Sequence, residues 1–219
     1  MAKAGIAGLP VDLDGLCASA GIETVPLSAI SAGTGMTASE VCSVWQNENG
    51  HLMPFRNRDG SCRFKIAYND GRNHVQRKNF TVAEELAHYI LGHHNHGMYR
   101  IYEPEAWDEA VYRLHEESAR IGAGLLLCPP PVFYEIPDCI NAEDIGRICD
   151  VSGDCAAVRN GVLYKYRDEI VGHPMYAALR DSLSACIDGL LCPARNGARY
   201  GEIVCLSCGD SAYCTYLNG

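Results

Sequence analysis

Three consecutive prolines, Pro129, Pro130 and Pro131, set the hardest limit on how this chain can fold. A helix cannot continue through them, because each lacks an N–H and each forces the residue before it toward extended backbone. The apolar-periodic stretch AWDEAVYRLHEESARIGAGLLL is therefore expected to be a helix that starts near Glu103-Pro104 and stops before Pro129. Upstream, Thr81 reads as an N-cap with Glu84 three residues on, so VAEELAHYIL is expected to be a second helix, ended by Gly92. Between the first residues and that helix, PVDLDGLCASA has helical spacing with a stop at Gly21. Ile22 to Leu27 is strand-like, and CRFKIAY alternates as a half-buried strand closed by Asn69-Asp70-Gly71. Gly33, Gly35, Asn47, Asn49 and Gly50 mark a turn-rich stretch that periodicity does not resolve. After the prolines, residues 141 to 164 read as two short helices around Asp150-Val151-Ser152-Gly153.

Composition narrows the class. With 219 residues and 47% hydrophobic content the chain can build one sizeable core, or a core and a small appendage. A net charge of −9 with 21% charged residues speaks against a broad phosphate-tracking surface, so nucleic acid is a poor expected partner. The sequence MAKAGIAGLPVDLDGLC resembles neither a secretory leader nor an anchor. No run of about 18 apolar residues occurs, so a cytoplasmic protein with no membrane partner is expected. In that compartment the 12 cysteines are reduced thiols or metal ligands before they are disulfides.

The chemistry concentrates in Glu84-Glu85-Leu86-Ala87-His88. Residues four apart share a helix face, so Glu84 and His88 can grip one cation, while Glu85, about 100° round, is left where its carboxylate can take a proton from water. On a solvated helix the same residues make only salt bridges and hydrogen bonds. The second helix adds Glu116, followed by Ala119, Ala123, Leu126 and Leu127, as a carboxylate able to deliver a third ligand.

KNFTVAEELAHYILGHH followed by HEESARIGAGLLLCPP resembles the two motif blocks of the ImmA/IrrE metallopeptidase family, and LPVDLDGLCASAGIETV and CRFKIAYNDGRN resemble its opening helix and strand and the strand before its active-site helix. The resemblance spans about residues 1 to 165 and is strongest over 78 to 130. The family pattern is H-E-x-x-H with a later E-x-x-A, and Glu84 stands where its first histidine would be. In this the chain is similar to a phage-associated branch with A-E-E-L-x-H and E-x-x-A-R, here Glu116 to Arg120. The resemblance implies an α+β fold: a zincin-like metallopeptidase core (residues 1–130) with an active-site helix and small sheet, a helical pair (131–175) and a Cys-rich C-terminal module (176–219). It implies Glu85 as general base and Glu84, His88 and Glu116 as metal ligands. It further implies regulated cleavage of a protein substrate, a transcriptional repressor encoded beside the peptidase on a phage or mobile element. Replacing His by Glu leaves a divalent site formally neutral and lowers its Lewis acidity, so zinc is expected with manganese or iron as competitors. The rival is a catalytically weakened member of the same fold that acts as a protein-binding regulatory module.

Tyr89, Tyr99 and His115 are candidates for a transition-state donor. His93, His94 and His96, beyond Gly92, are expected to interact with the helix C-terminus and to stay outside the site. Residues 141 to 164 have the apolar spacing of a helix-turn-helix, with Ile145, Ile148, Val151, Ala156 and Val158 as core positions. Between Ser152 and Gly161 only Arg159 is basic, which does not suit phosphate contact. In the tail, Cys205-Leu206-Ser207-Cys208 is a single knuckle that Cys192 and Cys214 could complete as a structural zinc site. Cys186 is a rival for the second pair, and unliganded or disulfide-paired thiols are the alternative.

Overall fold

The computed structural model describes residues 8–45, 47–71, 74–95, 108–135 and 141–190, and its contacts divide the chain into two compact units, residues 13–126 and residues 127–219 with 1–12. The architecture is α+β, with eleven helices and a three-stranded sheet among the described residues. None of the described helices is long and apolar enough to cross a membrane.

The 13–126 unit opens with α1 (Leu13–Ser19) and β1 (Ile22–Pro26), as their spacing predicts. The turn-rich stretch that periodicity leaves blank holds α2 (Leu27–Thr34), α3 (Ala38–Trp45) and β2 (Gly50–Arg56). β2 and β3 (Cys62–Tyr68) form an antiparallel hairpin, Gly50 opposite Tyr68 and Arg56 opposite Cys62, closed by Asp59-Gly60 with Gly60 at φ 86°. β1 joins β3 in parallel, giving the order β1-β3-β2. An edge position explains how β2 tolerates Pro54, whose missing N–H would break a ladder on a strand paired at both sides. Ile22, Leu52, Ile66 and Ala67 are buried beneath the helices.

The helix after β3, α4 (Val75–Ile90), starts earlier than its apparent cap. Thr81 is not an N-cap; it lies buried inside the helix, whose cap is His74. In the helix's first turn Val75, Gln76 and Arg77 are exposed and Val75 is the one apolar residue before Phe80, so no apolar stripe reveals it. Surface pairs anchor it instead: Arg77 donates to Asn49 Oδ1 at 2.9 Å and Lys78 meets Asp14 at 3.2 Å. From Thr81 to His88 nearly every side chain is buried. Gly92, at φ 73°, reverses the chain into a 3-10 turn at His93–Asn95. α5 (Glu109–Leu127) follows Asp108, whose carboxylate accepts from the N–H groups of Ala110 and Val111, and the expected start near Glu103-Pro104 lies outside the described residues.

In the other unit the prolines do what their chemistry dictates. α5 ends at Leu127, and α6 (Pro130–Glu135) uses two prolines in its first turn, where no N–H is needed. α7 (Ala142–Cys149) is fixed by a capping box between Asn141 and Asp144, and Asp150 ends it in the left-handed region at φ 49°. α8 (Gly153–Lys165) is capped by Ser152. Ile145, Ile148, Val151 and Ala156 are buried as expected, but Val158 is 59% exposed and Arg159, at 7%, takes the inward position. α9 (Arg167–Val171), α10 (Tyr176–Ser182) and α11 (Ser184–Leu190) follow, so the stretch assigned to a Cys-rich module starts as helix, with Cys186 buried on α11. Cys155 donates a hydrogen bond to Cys128, which donates to Cys149; the bond each donates, and burial after it, push the Cys128 and Cys155 thiols far above the ordinary range, while the bond Cys128 accepts pulls it down.

Candidate metal centre

Small residues bring α4 and α5 together. Ala83 and Ala87 on α4 and Ala119 and Ala123 on α5 are all at most 2% exposed, and a Cβ added at Gly122 would lie 2.9 Å from that of Ala87. A side chain larger than hydrogen at 122 would force the helices apart. One turn and a half before Gly122, Glu116 comes to His88 across this approach, its Oε1 3.6 Å from His88 Nε2.

Glu84, Glu85, His88 and Glu116 thus form one cluster, each from the helix its sequence predicts. Glu85 is 8% exposed and accepts a hydrogen bond from the backbone N–H of Leu52 on β2. Burial first, then the negative charges of Glu84 and Glu116, push its carboxyl up to about 8, against a small downward pull from the Leu52 N–H. Glu84 and Glu116 are also raised, each by burial first, with Arg120 opposing. His88 goes the other way: burial, then neighbouring His93, His115 and His51, bring it down to about 4, so at neutral pH it is an uncharged imidazole.

An uncharged imidazole at 3.6 Å from a carboxylate is not an ion pair, and 3.6 Å lies beyond N–H···O reach. Two ligand bonds of about 2.0–2.1 Å at a tetrahedral angle span about 3.4 Å, so this gap has the size a cation between the two atoms would occupy. The donor set of one nitrogen and carboxylate oxygens suits a divalent ion of zinc, manganese or iron type. Among the described residues, no three His, Cys, Asp or Glu side chains already stand at the spacing of a formed site. A local reason is visible in Arg120, one turn after Glu116, whose Nε is 3.2 Å from Glu84 Oε1 and whose Nη2 is 3.8 Å from Glu116 Oε2. The guanidinium holds the Glu84 carboxylate. It is 64% exposed, so the pair is weak and can be exchanged.

His93 departs from its expected role. Instead of meeting the helix end it is buried at 5% exposure, its Nδ1 2.9 Å from His88 Nδ1, and its ring is stacked on His115 at 4.1 Å. Helical geometry does not reveal this, since residues five apart face away from each other until Gly92 turns the chain back. Ser118 Oγ lies 3.3 Å from His93 Nε2, and Tyr112 donates to Glu116; neither carried a sequence signal beyond its place on α5. Tyr89 packs against Phe64 and His94, and His115 against His93. Tyr99, His96 and the proposed zinc cysteines Cys192, Cys205, Cys208 and Cys214 lie outside the described residues.

No protein-family model, curated protein or solved structure matches this chain.

Proposed function

We propose that the 13–126 unit carries a metal-dependent endopeptidase of the ImmA/IrrE kind, in which Glu84, His88 and Glu116 hold a divalent cation, zinc before manganese or iron. The observation that carries the reading is the 3.6 Å approach of a neutral His88 Nε2 to Glu116 Oε1 with a buried carboxyl at Glu85 beside them. A cation held there supplies Lewis acidity, lowering the pKa of a bound water and polarising a substrate carbonyl. Glu85 is the general base: its carboxylate takes the proton of the attacking water and passes it to the leaving amine. The Leu52 N–H orients that carboxylate, and its elevated proton affinity suits a group that must first accept a proton near neutral pH. The substrate class proposed from the motif resemblance is a protein, a transcriptional repressor encoded beside the peptidase.

Co-expression with that repressor tests the reaction. A discrete repressor fragment is expected with the parent chain and none with Glu85→Gln, while both chains take up the metal. A fragment formed equally by both would remove Glu85 from the role of base.

One observation favours the second reading, a protein-binding module that has given up catalysis. Arg120 already neutralises Glu84, so the chain can satisfy its acidic cluster without metal. Zinc titration of the purified chain separates the two, since no uptake up to millimolar zinc is the result expected of the module.

A further inference from the structure

The metal reading requires His88 to offer a nitrogen free of hydrogen, and nothing among the carboxylates decides which of its two nitrogens that is. The decision lies in a chain of hydrogen bonds on its far side. Ser118 Oγ donates to the carbonyl of His115 at 3.0 Å, a bond back along its own helix. A hydroxyl has a single proton, so toward His93 Nε2, 3.3 Å away, Ser118 presents a lone pair. His93 Nε2 then carries the ring's proton, and in a neutral ring Nδ1 is left bare. Only one proton fits the 2.9 Å between the Nδ1 atoms of His93 and His88, so it belongs to His88. The remaining nitrogen of His88, Nε2, is unprotonated and faces Glu116.

We propose that His93, backed by Ser118, is a positioning residue that holds His88 in its Nδ1–H tautomer and thereby selects Nε2 as the metal-binding atom. The geometry restrains His93 as well as bonding it. Its ring is stacked on His115 at an interplanar angle of 8° and meets His88 edge-on, at 73°, which fixes the ring plane, and a flip within that plane that exchanged Nδ1 for a carbon would forfeit the contacts to both His88 and Ser118. A ring nitrogen that donates to a fixed acceptor orients the imidazole and strengthens the other nitrogen as a ligand.

The proposal rests on the metal reading for its consequence but not for its tautomer, and the experiment separates them. Long-range proton–nitrogen NMR on the metal-free full-length chain is expected to show His88 protonated at Nδ1 and bare at Nε2, with His93 the reverse. Ser118→Ala, a small change that leaves His93 packed, is expected to release both rings into tautomer mixtures. Zinc alone, titrated against a chromophoric chelator, is expected to bind about 10–100-fold more weakly to His93→Leu than to the parent. His93→Gln, which keeps an acceptor in place of the imidazole nitrogen, is expected to recover most of that loss. A metal-free parent with the proton of His88 on Nε2, or a His93→Leu variant that binds zinc as tightly as the parent, overturns the proposal. Expected tautomers in a parent that takes up no zinc would support the relay while sinking the metal reading.

Discussion

Each unit of this protein buries a polar cluster, and the two are built on opposite terms. In the 127–219 unit, Cys155, Cys128 and Cys149 pass hydrogen bonds from one thiol to the next, and the thiols of Cys128 and Cys155 are held far above the ordinary range. In the 13–126 unit three carboxyls gather beside a neutral imidazole, with His88 Nε2 3.6 Å from Glu116 Oε1 and the Arg120 guanidinium 3.2 Å from Glu84 Oε1. Proton affinity is raised in both. What differs is the source: hydrogen bonds between thiols lead in one cluster, whereas burial leads in the other and neighbouring carboxylates add to it at Glu85. Carboxyls raised in this way are what the proposed metal reading builds on.

The difference can be broken most forcefully at Glu85. Glu85→Gln keeps an acceptor for the Leu52 N–H, so the chain is expected to fold, while peptide cleavage is expected to fall about 10²–10⁴-fold, the usual share of a general base. Steady-state assays on cleaved repressor measure it, and an unchanged rate would show the carboxylate cluster to be as inert as the thiols. Next in size is Gly122→Leu, which drives a side chain into Ala87. A loss of about 3 kcal/mol in denaturant melts is expected from overpacking, with weaker zinc binding as Glu116 moves away from His88.

Proton linkage sharpens the contrast further. Glu85 titrates near 8 when folded and near 4.5 when unfolded, so the folded state holds a proton that the unfolded state has lost throughout that interval. Its contribution is complete below pH 4.5, declines as pH rises, and is gone above 8. His88, held down to about 4, acts in the reverse sense, costing stability as pH falls below 6.5. Between pH 6.5 and 8 Glu85 therefore acts without His88, and the metal-free chain is expected to lose stability at up to about 1.4 kcal/mol per pH unit, levelling off above 8. Urea melts at several pH values read this slope, and Glu85→Gln should flatten it. The smallest effect belongs to the thiols: Cys155→Ala should cost about 1 kcal/mol, with no change in zinc affinity at the acidic cluster.

The sequence carried the parts of this site that obey helical spacing. Glu84, Glu85 and His88 sit on the expected helix, and Glu116 on the helix that the prolines terminate, because four-residue spacing and a proline stop are local rules. Strand β3 and the pair α7 and α8 were equally legible, with alternation in one and apolar helical spacing in the other. The unread pieces depend on distant partners. β2 has a proline and a glycine where alternation should be, and only the hairpin with β3 makes it a strand. The first half of α4 has no apolar face because surface polar pairs, not burial, hold it. Val158 and Arg159 exchanged their expected places because a periodicity count cannot tell which of two adjacent residues turns inward. His93 was misread because the reversal at Gly92 cancels the helical rule used to place it.

That reversal makes the spacing from residue 88 to residue 93 a ruler of fixed length. Gly92 is the last joint before the chain doubles back, at a φ of 73° that other residues reach only with strain. A single residue inserted at 91 or 92 would leave the packed turns of α4 intact and swing the returning imidazole away from its neighbour. Loops ordinarily absorb such insertions, but this one has the tolerance of a hinge pin.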